Sequence, residues 1–310
     1  MKKALLILVP LFLLLTDTVF GQEIVVLLDA ERPHYLQVLQ GFQTFCLHSP
    51  SPTTGVKSIH TSALHRIIIA DKGADQIAAD IRAYRPDLIL AIGNRGLEAA
   101  MTVPEVPVVY LLVSQPARLV GNRANITGIE LRLSAALQLA AMREHLPKLK
   151  RLGVIYDPLR TGDLIAEATI AAPQHGITLL ARPLGNRSDI PQLLKSMQTA
   201  KLDGYWLIPD LTVMDPTTLP NFLLFSLANK IPLITFSDKY LQDGAAVSIT
   251  FDMLEMGSQA GKIASAILCG TPASAIPPQP AQQALVKHNP LIVKKLGVTF
   301  LDQPQKGGER

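Results

Sequence analysis

Short, continuous apolar runs closed by polar turns recur along this chain, separated by stretches with helical periodicity. Glu23 to Asp29 (EIVVLLD), 88–92 (LILAI) and 106–113 (VPVVYLLV) read as strands buried on both faces, the pattern of a covered parallel sheet. Between them, Tyr35 to Leu47 places Leu36, Leu39, Phe42 and Phe45 on one helical face, and Gly73 to Tyr84 repeats the period. A further strand belongs to either Val56–Ile59 or Ile67–Ile69. The segment RLVGNRANITG (118–128) is polar and turn-like, and suggests a crossing between domains.

A helix over Leu133–Leu146 opens a second series. Its strands are 152–156 (LGVIY), 177–182 (ITLLAR), 204–209 (GYWLIP) and 231–236 (IPLITF), with helices at 163–173, 189–199 and 219–229. Asp189, just before Ile190-Pro191, reads as a helix cap. A later strand, 245–251 (AAVSITF), precedes Asp252 and a helix over Glu255–Leu268. A Pro-rich extended stretch (270–280) and a last helix from Asn289 to Leu296 follow. Strands alternating with helices of 10–15 residues predict an α/β fold: two doubly wound parallel-sheet lobes with a cleft between them. The expected division is 22–128 plus about 238–280 for the first lobe, 129–237 plus about 281–302 for the second, and a frayed tail at 303–310.

The first 21 residues change the cellular picture. Lys2 and Lys3 precede an apolar run from Ala4 to Leu15 and small residues near Gly21, the layout of a secretory signal peptide, so a periplasmic or secreted protein is expected. With 29 Lys and Arg against 25 Asp and Glu, nothing in the charge implies nucleic acid. The two cysteines, Cys46 and Cys269, allow one disulfide or two free thiols.

No nucleophile or metal signature stands out. GxSxG, HExxH and Walker sequences are absent, and the seven histidines are scattered without metal-ligand spacing, so neither enzyme, metal nor cofactor is expected. The polar residues that end buried strands are more informative, because ligand sites in open α/β sheets lie beyond the carboxyl ends of the strands. They include Asp29, Asn94, Arg95, Ser114, Asp157, Asp210, Ser237, Asp238 and Asp252. Helix starts at Asn94–Gly96 and Thr161–Asp163 are placed to offer N–H groups to an anion. Asp157, Asp210 or Asp252 would suit an ammonium, and Tyr35, Tyr110, Tyr156 and Trp206 would suit an apolar or cation-binding wall. Each of these residues also has a purely structural reading, as a cap or as core.

Several segments, in order, resemble the ABC-transporter substrate-binding family that includes tryptophan- and tyrosine-binding members. They are DLILAIGNRGLEAA (87–100), VPVVYLLVSQPARLVG (106–121), NITGIE (125–130), KLKRLGVIYDP (148–158), the run from Asp243 to Pro277, and HNPLIVKKLGVTF (288–300). The resemblance implies the type I periplasmic-binding fold, joined by a multi-strand hinge, and capture of a small polar or amino-acid-like solute for delivery to an ABC permease. A monomer is expected. By motif position it assigns ligand contact to Asn94, Arg95 and Ser114 in the first lobe, Tyr156, Thr161 and Asp210 in the second, and Asp252 in the returning segment. First-lobe turns would hold a carboxylate and second-lobe acids an amine. The sequence departs from the family pattern at Gln115, where Asp is usual before Pro116, at Arg95, where a small polar residue is usual, and at LRTG (159–162). The alternative reading is an exported sensing module that docks to a signalling receptor such as a sensor kinase.

Overall fold

The computed structural model describes residues 22–48, 63–69 and 72–302. The signal-peptide stretch, the strand alternative at Val56–Ile59 and the tail at 303–310 lie outside these residues.

The first block runs β1 (Glu23–Leu28), α1 (Pro33–His48), β2 (Ala63–Ile68), α2 (Ala74–Ala83), β3 (Leu88–Ile92), α3 (Gly93–Ala100), β4 (Val108–Val113), α4 (Pro116–Val120) and β5 (Ile126–Leu133). The second runs α5 (Ala135–His145), β6 (Arg151–Tyr156), α6 (Pro158–Ala171), β7 (Thr178–Pro183), α7 (Ile190–Met197), β8 (Gly204–Trp206), α8 (Leu219–Asn229), β9 (Leu233–Thr235), α9 (Lys239–Asp243) and β10 (Val247–Phe251). The chain then returns through α10 (Met253–Leu268), β11 (Gln279–Ala281), β12 (Ala284–His288) and α11 (Pro290–Leu296).

Two six-stranded sheets result, ordered β11-β5-β4-β3-β1-β2 and β12-β10-β9-β8-β6-β7. All pairings are parallel except β12 with β10. Each sheet repeats the same winding: the second strand of its block lies outside the first, and the third lies on the other side. The direction of winding therefore reverses between β1 and β3 in one lobe and between β6 and β8 in the other, which are the places where such sheets open a crevice. Strand β3 is buried along its whole length and β4 at every position but Leu112, as their unbroken apolar runs require.

The chain passes between the sheets three times: from Leu133 to Ala135, from Phe251 to Met253, and from Ala281 to Ala284. The expected boundaries need two corrections here. The stretch 118–128, read as a crossing, lies within the first lobe: its last three residues open β5 (Ile126–Leu133) of the first sheet, and the chain crosses only after Leu133. The return to the first lobe begins after Phe251, because β10 continues the second sheet beside β9, with Val247 opposite Ile234. Short hinge strands exposed on one side lack the unbroken apolar signature, and hydropathy does not say which sheet a strand joins.

The returning helix α10 is fixed to the first lobe by close contact with α1. Gly41 lies against the Leu254 backbone, Gly257 against the Val38 carbonyl and Phe42 amide, and Gly261 against the Phe45 ring, with no room for a Cβ at any of them. At its middle, Gln259 donates to the Pro280 carbonyl (3.1 Å) and accepts from the Gln282 amide (3.3 Å), tying α10 to the last crossing. Cys46 packs in this first-lobe core while Cys269 is exposed, and the two form no disulfide. Burial raises the Cys46 thiol to about 11. Asp189 makes no side-chain cap for α7.

Gly257→Ala tests the seam. Alanine's better helix propensity is worth about 1 kcal/mol, but forcing the two backbones apart costs roughly 1–3 kcal/mol. The expected result is a lower urea midpoint at unchanged m-value. A midpoint equal to or above wild type would show that the helices separate freely.

Candidate functional site

The second-lobe reversal point is held by carboxylates. Asp157 ends β6 and caps α6, accepting from the Leu159 amide (2.9 Å), while its other oxygen accepts from the Thr212 hydroxyl (2.6 Å). Asp210, just beyond β8, is only 1% exposed. Its Oδ2 accepts from the Asp157 amide (2.8 Å) and the Thr161 hydroxyl (2.6 Å), and its Oδ1 from the amides of Thr212 (2.9 Å) and Val213 (3.2 Å). The two turns are thereby bolted together.

This corrects the expected role of Asp210. A carboxylate with four donors and almost no exposed surface is an internal crosslink, and an incoming ammonium would have to displace N–H groups that have no other partner. Thr161 is taken up in the same network. Asp157 is held below its ordinary value of 3.8, chiefly by the Thr212 hydroxyl and then by the Leu159 amide.

In the first lobe, Asn94 and Ser114 pair with each other. The Asn94 amide nitrogen donates to Ser114 Oγ (3.0 Å) and the Ser114 amide donates to Asn94 Oδ1 (2.8 Å). A bulge in β4, where Leu112 takes φ 55°, turns Ser114 toward Asn94. Helix α3 starts directly at Gly93 (φ 81°) with no side chain capping it, and Tyr35 lays its hydroxyl over that glycine. Asn94, Arg95 and Ser114 are all exposed at this face. Tyr156 is half-buried against the main core, whereas Tyr110 and Trp206, both considered as walls, are core residues. Asp252 caps α10 through the amides of Leu254 (3.0 Å) and Glu255 (3.1 Å).

A cavity lies closer to the hinge. It has a volume of about 660 Å³, within the usual range for small-molecule sites. Its wall is chiefly apolar: Leu131 and Leu133 of β5, Leu164 of α6, Ile249 and Phe251 of β10, and Phe236 after β9. Arg132, Asp163 and Glu167 supply charge at its edge. A second groove of about 500 Å³ shares Phe236 and Phe251, and adds His34 of the first lobe, Asp252, and an Asp238–Lys287 ion pair at 2.6 Å. Of the seven residues to which the resemblance assigned ligand contact, only Asp252 lines either space; the strand-end residues Ser237 and Asp238 line the second.

Phe236 and Phe251 are the residues that strand-end reasoning missed. Each is the last apolar side chain before a polar turn, at Ser237 and Asp252, and attention to polar ends passed over them. Among the described residues, no group of His, Cys, Asp and Glu is arranged to hold a metal, and no helix is long and apolar enough to cross a membrane.

Two doubly wound lobes, a three-stranded hinge and an apolar cavity beside that hinge define a bilobed solute-binding protein. The family model for ABC transporter substrate binding proteins matches residues 61–306, and the chain belongs to that family. Its members bind small solutes outside the cytoplasm and work with ABC transporters. The chain is 25% identical over 210 residues, 65% of its length, to the tyrosine-binding protein of Clostridioides difficile, and spans 60% of that relative's length. Among solved structures, it resembles the ligand-free, open form of a Clostridium difficile substrate binding protein with adhesive properties. That match has a TM-score of 0.63 at 20% identity and covers 92% of this chain and 97% of the other. An ABC domain from Streptococcus pneumonia in complex with L-Trp matches with a TM-score of 0.47 at 19% identity, covering 90% and 96%.

Asp210→Ala leaves four donors unanswered and is expected to lower folding stability by roughly 3 kcal/mol, read as an earlier melt of the ligand-free protein. An unchanged melt would return Asp210 to the list of solute contacts. The Asp157 pair has a pH signature. Its lowered folded-state value contributes stability that is complete above the unfolded value near 3.9 and is lost as pH falls through the folded one. The gap in urea midpoint between wild type and Thr212→Val should therefore be full at pH 6 and shrink below about pH 4. A gap independent of pH would show that the hydroxyl acts only by packing.

Proposed function

We propose that this protein captures an amino-acid-like solute with a large apolar side chain in the hinge-side cavity and passes it to an ABC permease. The carrying observation is the cavity itself: about 660 Å³, walled by two phenylalanines and four aliphatic side chains, at the carboxyl ends of β9 and β10. The tyrosine-binding relative supports an amino acid as the solute.

On this reading no bond is broken. The protein acts as a monomer in the periplasm or outside the cell, and the solute shifts the lobes toward a closed arrangement by binding it better. The uncapped start of α3, with Asn94, Arg95 and Ser114 around it, would meet the solute's carboxylate only once the first lobe closes over the cavity. Tyr156 and Asp252 flank the crevice, while Thr161 and Asp210 shape it from behind.

A thermal-shift screen across amino acids, sugars and small carboxylates tests this. A solute present at a hundred times its Kd stabilises the native state by about 2.7 kcal/mol. Aromatic or large aliphatic amino acids are expected to raise the melting temperature, and Phe251→Ala to weaken them at least tenfold. A response confined to sugars, or a Phe251→Ala protein that binds as wild type does, would overturn the reading.

A further inference from the structure

The turns that lead into the second sheet carry an excess of positive charge. Lys148 and Lys150 lead into β6, which begins at Arg151; Lys201 precedes β8 and Lys230 precedes β9, and all five residues are exposed. Strands β9, β8 and β6 are adjacent and parallel, so these entries stand side by side at the end of the lobe opposite the crevice. Neighbouring strands lie about 5 Å apart, inside the Debye length of about 8 Å at physiological salt. Two of the turns are joined directly: Asp203, two residues after Lys201, accepts from the amides of Lys150 (3.0 Å) and Arg151 (2.8 Å). Helix α11 extends the same face. β12 runs antiparallel to β10 and so ends at this pole, with His288 opposite Val247. After α11 the chain returns to the end of α5, where the Leu301 amide donates to the His145 carbonyl (2.9 Å), three residues before Lys148. Leu291, Lys294 and Lys295 share one side of α11 at i, i+3 and i+4, and Leu291 is 77% exposed.

Helix ends account for only part of this charge. Lys294 and Lys295 lie in the last turn of α11, where the helix dipole favours a cation, but Lys148, Lys150 and Arg151 stand beyond the end of α5. Lys201 and Lys230 take left-handed backbone, at φ 50° and 55°, where glycine is unstrained; Gly176, Gly244 and Gly297 fill the other left-handed helix exits of this lobe. Among the described residues, none of the seven cations enters an ion pair. The acids interspersed with them are Glu144, Asp203, Asp243 and, beside His288, Asp302. The same end of the first lobe is mixed and paired: Arg82 meets Glu105 at 2.9 Å and His65 meets Glu23 at 2.6 Å. The positive pole therefore belongs to one lobe, and the charges on it repel one another unless an outside anion answers them.

We infer that this pole is a docking surface for an anionic phospholipid bilayer. Phosphate headgroups answer the lysines, each of which acts as a point charge. Leu291, on the same side of α11 as Lys294 and Lys295, presses into the headgroup layer, a contact that a soluble polyanion would not reward. The family works with ABC transporters, so a carrier held on the bilayer keeps its loaded form within reach of the permease. The crevice, at the opposite ends of the strands, stays open to the solute. This surface is independent of the cavity proposed for the solute.

The test uses the exported chain from Gln22 onward, vesicles of phosphatidylglycerol or phosphatidylcholine, and heparin as a soluble polyanion, with the ligand-free melt of each variant as the fold control. In co-sedimentation at low salt, wild type is expected to bind phosphatidylglycerol at least tenfold more tightly than phosphatidylcholine, and to be released at high salt. Lys148→Glu with Lys201→Glu should weaken that binding at least tenfold. Arg118→Glu with Lys262→Glu, an equal charge change on exposed first-lobe residues, should leave it within twofold. Leu291→Ser should weaken vesicle binding at least threefold and leave heparin binding unchanged. The inference is overturned if wild type does not distinguish the two lipids, or if the first-lobe pair weakens binding as much as the pole pair. It is equally overturned if Leu291→Ser binds vesicles as wild type does, or if wild type binds heparin but no vesicle.

Discussion

The seam between α1 and α10 is the constraint on which the rest of the molecule depends. After completing the second sheet at Phe251, the chain must recross to the first lobe, and α10 can seat there only because Gly41, Gly257 and Gly261 let the two helix backbones meet. That contact fixes the far end of the returning segment. It also fixes where the chain must cross again, between β11 and β12. Three covalent crossings side by side restrict the lobes to motion about one line. A single linker would leave their faces free to separate, and no cavity of defined shape would persist between β5 and β10.

The same economy of fixed points shapes the second-lobe face. Asp210 and Asp157 crosslink the turns after β8 and β6, so the edge of the crevice is rigid where the winding of the sheet reverses. Two lobes that close on a solute need such edges, because a soft rim would dissipate the differential affinity that drives closure. The cavity proposed for the solute is walled from elsewhere: by the apolar ends of β9 and β10, by β5 at the hinge, and by α6. Acids that look like ligands in the sequence support the frame, and phenylalanines that look like core line the space.

Much of the fold was legible from the chain alone. Unbroken apolar runs such as 88–92 and 106–113 announce covered parallel strands, and their alternation with helical stretches leaves little besides two α/β lobes. The reading failed where that signal is physically absent. β5 ends in an exposed Leu-Arg half, and β11 and β12 are short pieces at sheet edges, so none of them carries a two-faced hydrophobic run.

For the site, the sequence determined which residues stand at strand ends, because an apolar run must stop where the sheet meets solvent. It could not determine what those residues touch. Asp210 and Asp163 are both acids near the edge of the second lobe, and nothing in their local sequence separates them. Only tertiary structure brings the Thr161 hydroxyl and three backbone amides onto the one and leaves the other exposed at the cavity. Strand ends are set by neighbours along the chain. Hydrogen-bond partners are set by turns about 50 residues apart meeting in space, and hydrophobic periodicity carries no record of that meeting.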